Sequence, residues 1–279
     1  MPVFSKIVKK TGKAISPVVR SISLFQHIVL THDMLEFADC IQPVLWYNKK
    51  LRKFLLEDET MRMRRKHNLE PRMEACAQWQ VTDAAAMQGS WRSLKPDCTA
   101  LWVEVGCGKG KFTVETAQAN PTVLMIAIER CREAMVMAME KARDMGLTNV
   151  FFVDMDVALM EGCFAAGEID RLFINFPDPW PRSKNAKRRL TFRTFLRLYS
   201  RVIKEGGEIH FKTDNAKLFE FSLEELELVG LPTKNVTRDL HANGIVGIMT
   251  GYEEKFHALG TPINRCEVIC HPIEEPVKE

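Results

Sequence analysis

The chain has 279 residues, of which 46% are hydrophobic and 27% are charged, and its formal net charge at pH 7 is +3. These proportions exclude an intrinsically disordered or low-complexity chain, and the length is ample for one large domain with a sizeable core. A net charge of +3 on a chain of this size does not by itself indicate a nucleic-acid partner.

The cysteine pattern bears on metals and on redox compartment. Eight cysteines are spread along the chain without a CxxC pair, and histidines are sparse near them. This spacing argues against a zinc site, and the dilution of cysteines in so long a chain argues against a disulfide framework. We therefore expect free thiols in a reducing compartment, no bound metal and a cytoplasmic protein.

Residues 1–60 differ in composition from the rest. They carry no acid before residue 33, and the apolar stretch Ile22–Leu30 is too short and too interrupted to span a bilayer or to serve as a signal peptide. We expect an accessory extension, poorly ordered or loosely helical, or a misassigned start with Met34 or Met61 as the true one. Such composition is also typical of an organelle transit peptide. The expected organisation is this extension, a main domain over 61–272 and a tail over 273–279.

Short apolar runs alternate with segments of helical period from Thr99 onward, after a polar, helix-compatible stretch that contains Trp79 and Trp91. The predicted strands are Thr99–Val105, Val123–Glu129, Asn149–Asp154, Ile169–Phe176, Gly207–Lys212 and Arg265–Cys270. The predicted helices are Lys111–Ala119, Arg132–Met145, Leu190–Lys204 and Ala216–Val229. This alternation predicts an α/β fold, a doubly wound parallel sheet with helices on both faces.

A glycine loop follows the first predicted strand. Gly106, Gly108 and Gly110 alternate with other residues, Glu104 stands two positions before the first glycine, and Glu129 ends the second strand nineteen residues past the third. Glycines let the backbone approach a ligand, and an acid at the tip of the second strand can accept bonds from ribose hydroxyls. A dinucleotide site reads G-x-G-x-x-G, whereas this pattern resembles the first motif of class I S-adenosylmethionine-dependent methyltransferases. A tight turn without a ligand is the alternative.

A proline-rich loop, Phe176-Pro-Asp-Pro-Trp-Pro181, follows the fourth predicted strand. In a doubly wound sheet the loops after the carboxyl ends of strands line the site. Because prolines fix φ, Asp178 and Trp180 are held in place at little entropic cost on binding. We expect this loop to form part of an active site.

A basic run stands directly behind that loop. Arg182–Arg201 contains eight basic residues and no acid, and Arg188, Arg189 and Arg193 can share one face of a helix. Charge runs are often ordinary solvated faces, but this one adjoins a stiff loop at the expected site. We predict a phosphate-binding patch formed by Lys187, Arg188, Arg189 and Arg193.

Two further groups of polar side chains are expected near the site. The fifth predicted strand ends in Thr213-Asp-Asn215, which presents Asp214, and Thr250, Tyr252 and Glu253 are expected on a loop near the carboxyl terminus. Each is unremarkable alone, and a purely structural role is an equal alternative.

Four motifs in order resemble those of the bacterial tRNA (guanine-N7)-methyltransferases of the TrmB type, over about Met61 to Val268. They are Asn175-Phe-Pro-Asp-Pro-Trp-Pro181, Lys187-Arg-Arg-Leu190, Phe211-Lys-Thr-Asp-Asn215 and Tyr252-Glu-Glu-Lys-Phe256. The likeness is greatest to the form found in Gram-positive bacteria. It implies a Rossmann-like fold with a seven-stranded, mostly parallel sheet whose last strand is antiparallel. It also implies methyl transfer from S-adenosylmethionine, leaving S-adenosylhomocysteine, to N7 of guanine 46 in the variable loop of tRNA.

The resemblance also implies roles for individual residues in a catalytic domain over 61–272, as a monomer or a homodimer. The cofactor contacts are Glu104, Gly106, Gly108, Gly110, Glu129, Asp156 and Asp178, with Asp178 also the catalytic position. The substrate contacts are Arg182, Asp214, Thr250, Tyr252 and Glu253. Two positions depart from the family pattern: Arg182 stands where lysine is expected, and Gly251 where a carboxylate is expected, for which Glu254 is a candidate replacement.

Two other functions are compatible with parts of this pattern. The proline loop loosely echoes the (Asp/Asn)-Pro-Pro-aromatic loop of adenine methyltransferases, although Asp178 between the prolines breaks the match. A non-catalytic RNA-binding module on a decayed methyltransferase fold is the second, and the intact glycine loop with Glu129 and Asp178 argues against it. For the main hypothesis, guanine N7 has no proton to lose, so the reaction needs alignment rather than a general base.

Overall fold

The computed structural model describes residues 68–273, which lie within the unit Arg62–Glu279 of the chain. The predicted extension, its boundary with the main domain and all but the first residue of the predicted tail lie outside this range. Within it, the seven cysteines are free thiols and no helix is long and apolar enough to cross a membrane.

Residues 68–273 form one sheet of seven strands. The strands are β1 (Ala100–Val105), β2 (Val123–Ile128), β3 (Val150–Val153), β4 (Ile169–Asn175), β5 (Ile203–Thr213), β6 (Thr233–Thr237) and β7 (Asn264–Ile269). Their order across the sheet is β3-β2-β1-β4-β5-β7-β6. Strands β1 to β5 are mutually parallel, and β7 is antiparallel to both of its neighbours. The predicted sheet with an antiparallel last strand is confirmed.

Helices cover both faces of the sheet. They are α1 (Leu69–Glu74), α2 (Lys111–Ala119), α3 (Arg132–Asp144), α4 (Arg193–Val202), α5 (Ala216–Leu228) and α6 (Gly251–Ala258). Side chains of α4 and α5 share one core cluster with Leu101 and Ile126, whereas those of α1, α2 and α3 share the other with Met125. Every residue of β2 is buried, as expected of a parallel strand that is covered on both faces.

The segment before β1 is held by its tryptophans. Instead of a long helix it contains α1 and three short 3-10 turns. The indole N–H of Trp79 donates to the carbonyl of Leu147 at 2.7 Å, and that of Trp91 donates to Cys163 at 2.7 Å. Both rings are buried and both polar atoms are satisfied, so the segment is fixed to the sheet without needing helical periodicity.

Two elements differ from the predicted pattern. Strand β6 was not predicted, because it is an edge strand with exposed, mostly polar residues and thus lacks an apolar run. Helix α6 replaces the loop expected around Tyr252. Thr250 is its N-cap and forms a capping box with Glu253, which satisfies two main-chain N–H groups.

Candidate active site

A cavity of about 490 Å³ opens where the parallel strands end. Its lining comes from the loops that follow β1, β2, β3 and β4, as predicted for the ligand site of a doubly wound sheet. The polar or charged side chains of this lining are Glu129, Arg130, Asp156, Asn175, Asp178, Lys187 and Arg188. The cavity therefore brings three of the predicted acids together.

The three glycines of the loop differ in their surroundings. All have positive φ, at 75°, 55° and 72° for Gly106, Gly108 and Gly110. Only Gly106 lines the cavity, and a Cβ built on it meets no atom within 4 Å, so the main chain there is open to a ligand. A Cβ on Gly110 would lie 2.3 Å from the Cβ of Ala138, so this glycine allows α2 to pack on α3. Neither Gly108 nor Gly110 lines the cavity, and their cofactor contacts stay predictions.

The carboxylate of Glu129 is oriented by the main chain. One oxygen accepts the N–H of Gly108 at 2.8 Å, and the other accepts the N–H of Cys131 at 2.7 Å. A carboxylate oxygen has two lone-pair sites, so each keeps one free for a further donor. The carboxylate lies at the end of β2 beside the cavity, where it can accept hydrogen bonds from two adjacent hydroxyl groups.

Glu104 lies beneath the cavity and not in its wall. Its side chain is buried, and it accepts bonds from the Thr113 hydroxyl and, at 2.9 Å, from the Asn175 amide. Burial raises the pKa of Glu104, while these hydrogen bonds act in the opposite direction. This carboxylate joins β1, α2 and β4, and its direct contact with the cofactor stays a prediction.

Asp156 lines the cavity from the loop that follows β3. One oxygen accepts the N–H of Ala158 at 3.0 Å and so caps the 3-10 turn Val157–Gly162. The other lies 3.2 Å from the guanidinium of Arg130, in an exposed pair. Sequence reasoning did not single out Arg130; its position directly after Glu129 was the available signal.

The loop after β4 has a strained backbone on both sides of Asp178. Phe176 has φ 51° and Trp180 has φ 41°, values that non-glycine residues rarely adopt. Strain of this kind costs about 1–3 kcal/mol per residue and is concentrated at functional sites. Asp178 is exposed at the cavity lip, as the proline pattern predicts.

The basic run divides into exposed and internally bonded side chains. Arg182 precedes the 3-10 turn Ser183–Arg188, and the exposed basic residues here are Arg182, Lys184, Lys187 and Arg188. The guanidinium of Arg188 lies 3.8 Å from the centre of the Trp180 ring. This turn therefore presents a cluster of positive charge next to the cavity.

Two predicted phosphate contacts prove to be bonded within the protein. Arg189 donates to two carbonyls of the Asp178 loop, and Arg193 forms a two-pronged pair with Glu225 at 2.7 and 2.9 Å. The expectation that Arg188, Arg189 and Arg193 share one face of a helix is wrong. Arg189 has an extended backbone (ψ 132°), and α4 begins only at Arg193, so the three arginines do not lie on one helix.

Asp214 and Tyr252 meet next to the Asp178 loop. Burial raises the pKa of the Asp214 carboxyl group, and interaction with the Tyr252 side chain partly opposes the rise. The Tyr252 ring stacks on Phe256 at 4.2 Å and lies 5.1 Å from Phe176. The structure thus brings two predicted substrate residues to the edge of the strained loop.

Glu253 has no surface for a substrate in this conformation. It is fully buried, its oxygens lie 2.5 Å from Lys212 and 3.0 Å from the His241 ring, and it also accepts the N–H of Thr250. Burial lowers the pKa of Lys212, and the charge of Glu253 opposes the change. Lys212 was not singled out from the sequence, although a lysine among the apolar residues of a strand was a signal.

The departure at Gly251 leaves room for a side chain. A Cβ there would lie 3.8 Å from Lys111, an ordinary contact, and the backbone does not require glycine. Glu254, the candidate replacement, lies 3.0 Å from the ammonium group of Lys111. This carboxylate therefore already has a partner on α2.

Comparisons with known proteins agree with this geometry. The profile of a family described as "Putative methyltransferase" matches residues 99–266. The tRNA (guanine-N(7)-)-methyltransferase of Geobacillus kaustophilus is 42% identical over 76% of this chain and 98% of its own length. That of Bacillus velezensis is 44% identical over 75% and 96%. In fold, the chain is similar to the 16S rRNA methyltransferase KamB, with a TM-score of 0.53 and 16% identity over 66% of this chain and 94% of that one.

Proposed function

The chain belongs to the tRNA (guanine-N7)-methyltransferase family, and on this premise we propose that it transfers a methyl group from S-adenosylmethionine to N7 of guanine 46 in the variable loop of tRNA. The observation that carries the proposal is the position of Asp178. It lies on a strained loop at the lip of the cavity, with the Asp214–Tyr252 pair at the edge of the same loop.

The residues around the cavity fit S-adenosylmethionine. Glu129, with its free lone pairs, would accept hydrogen bonds from the two ribose hydroxyls. Asp156 would accept a hydrogen bond from the adenine amino group. Gly106 leaves space for close approach of the cofactor to the main chain, and Asp178 would balance its ammonium or sulfonium charge. These donors and acceptors suit a ligand that carries no phosphate.

Alignment is the main requirement of the chemistry. When bound, S-adenosylmethionine supplies an electrophilic methyl group: the N7–carbon bond forms as the carbon–sulfur bond breaks, and no proton is transferred. The protein has to hold N7 in line with that bond, which can contribute several kcal/mol. Guanine N1–H and N2–H are donors, so Asp178 and Asp214 are suitable acceptors for its Watson–Crick edge.

Charge also develops on the purine. Alkylation of N7 leaves the guanine cationic, and a carboxylate fixed nearby stabilises that charge as it forms. The base must first leave its stack in the folded tRNA, as in other enzymes that act on bases. Arg182, Lys184, Lys187 and Arg188 would hold the flanking phosphates, because their charges are exposed beside the cavity.

The test is methylation of an unmodified tRNA transcript with methyl-labelled S-adenosylmethionine, followed by borohydride and aniline cleavage at N7-methylguanine. We expect label at guanine 46 and none in a transcript with adenine at that position. Asp178→Ala should lower kcat roughly 100-fold, by loss of alignment and charge stabilisation. The exposed Asp144, in a surface pair on α3, provides the matched control Asp144→Ala with unchanged kcat. Label confined to another base or atom would contradict the proposal.

A further inference from the structure

Arg189 makes contacts that a phosphate-binding residue does not need. Its Nε donates to the carbonyl of Pro179 and its Nη2 to the carbonyl of Trp180, both at 3.0 Å. These are successive carbonyls, directly after Asp178. A guanidinium has a fixed fork of donors, so two bonds to one short segment define its position and its orientation.

The loop needs a partner of this kind because it has few donors of its own. Pro177, Pro179 and Pro181 carry no N–H, so main-chain hydrogen bonds cannot hold the segment as they hold an ordinary turn. Phe176 and Trp180 are strained in addition, and strained residues persist only where the surrounding structure fixes them.

Arg189 is itself anchored by contacts outside the Asp178 loop. Its guanidinium lies 4.2 Å from the ring centre of Phe221, on α5, and its own N–H donates to the carbonyl of Ala186 at 3.0 Å. The side chain is only partly exposed, unlike its neighbours Lys187 and Arg188. The fork therefore bridges the loop and the helical layer.

We propose that Arg189 is a positioning residue, whose guanidinium fork holds the Asp178 loop in the strained conformation that methyl transfer uses. This role rests on the proposed function only in that methyl transfer is taken as the reaction that the loop serves. Arg188 lies over the Trp180 ring while Arg189 binds the Trp180 carbonyl, so adjacent arginines contact the same loop residue through its side chain and its main chain.

The test compares Arg189→Lys with Arg193→Lys. Each substitution keeps the positive charge but removes a guanidinium that is hydrogen-bonded inside the protein. The guanidinium of Arg193 binds Glu225 and not the loop. In Arg189→Lys we expect kcat to fall about 10- to 100-fold, while KM for tRNA and the salt dependence of tRNA binding change less than about twofold. Arg193→Lys should keep kcat.

A second measurement reports the loop without any activity. Hydrogen–deuterium exchange of the peptide around residues 176–182 should become faster in Arg189→Lys and stay unchanged in Arg193→Lys, with melting curves showing that both variants fold. Unchanged exchange in Arg189→Lys, or unchanged kcat with a raised KM for tRNA, would overturn the positioning role. Absence of N7 methylation by the wild-type protein would instead overturn the proposed function, and the exchange result would still decide the role of Arg189.

Discussion

The same residue type serves different purposes along the basic run, and the bonding of each side chain decides which. Lys187 is exposed, Arg188 rests on an aromatic ring, and Arg189 and Arg193 donate to acceptors inside the protein. Sequence alone locates the positive charge but does not show where the guanidinium donors go, because their acceptors lie on Pro179, Trp180 and Glu225. The distinction is a property of tertiary structure.

Glu253 illustrates the same point for an acid. Its carboxylate joins Lys212 of β5, His241 and the start of α6. The Nδ1 of His241 accepts the N–H of Val246, so its other nitrogen carries the proton donated to Glu253. A buried charge with three partners is a structural centre, and it orients the helix that carries Tyr252.

We expect Glu253→Ala to lower the free energy of unfolding by about 3–5 kcal/mol, because the buried Lys212 charge would lose its acid. The double variant Lys212→Met with Glu253→Gln should recover part of this loss, since no unpaired charge remains. Urea denaturation followed by circular dichroism measures both. The adjacent Glu254→Ala is the control and should cost at most about 1 kcal/mol, because Glu254 is exposed and its partner Lys111 is partly exposed. A stable Glu253→Ala protein with raised KM for tRNA would restore the substrate-contact role.

At the scale of elements, the glycine loop combines a ligand-facing turn with a helix contact. Gly106 faces the cavity, whereas Gly110, the N-cap of α2, permits the close approach of α2 to α3. The glycines of one regularly spaced motif thus serve different purposes, ligand approach at Gly106 and helix packing at Gly110. The spacing alone does not show which glycine serves which purpose.

Gly110→Ala should lower the free energy of unfolding by roughly 2–4 kcal/mol, through overlap with Ala138 and the cost of a positive φ. Gly146→Ala is the matched control. Its φ is also positive at 64°, but a Cβ there meets no atom within 4 Å, so only the backbone cost of about 1 kcal/mol remains. Denaturant melts of the two variants measure the difference, and equal losses would show that packing of α2 on α3 is not limiting.

Most of the sheet could be predicted because its inner strands are buried on both faces and read as apolar runs. Strand β6 could not, since an exposed edge strand is defined by its pairing with β7 and not by its own composition. The structure forms helix α6 where a loop is predicted, although Thr250 and Glu253 have the spacing of a capping box, a local signal of a helix start. In the site, Asp178 could be predicted from its rigid loop, whereas the parts played by Glu104 and Glu253 depend on burial.

For the whole molecule, the arrangement of charge matters more than its sum. Residues 1–60 hold nine basic and six acidic residues, which accounts for the net +3, so residues 61–279 are neutral overall. Within that neutral part, four exposed cations at Arg182, Lys184, Lys187 and Arg188 lie beside a cavity lined by acids. This separation suits a ligand with an anionic backbone and a base that becomes cationic.

Binding of tRNA should therefore depend strongly on salt. Four phosphate contacts predict a slope of about −3 in log K against log salt, and the double variant Lys184→Gln with Lys187→Gln should reduce its magnitude by about 1.5. Filter binding of tRNA between roughly 50 and 200 mM salt measures the slope. Arg143→Gln is the control: it removes a charge at the end of α3, which runs back from the carboxyl ends of the strands. A slope unaffected by the double variant would place the phosphate contacts elsewhere.

The two edges of the sheet have a consequence for how the protein behaves at high concentration. Beyond β3, the N–H of Val81 already bonds the carbonyl of Phe152, and at the opposite edge β6 carries exposed Lys234 and a left-handed Asn235 where the pairing with β7 shifts register. A foreign strand would have to displace the first contact or strip water from a lysine at the second. We therefore expect both edges of this sheet to resist pairing with another chain, and fibrous aggregates to start from molecules that have lost the sheet.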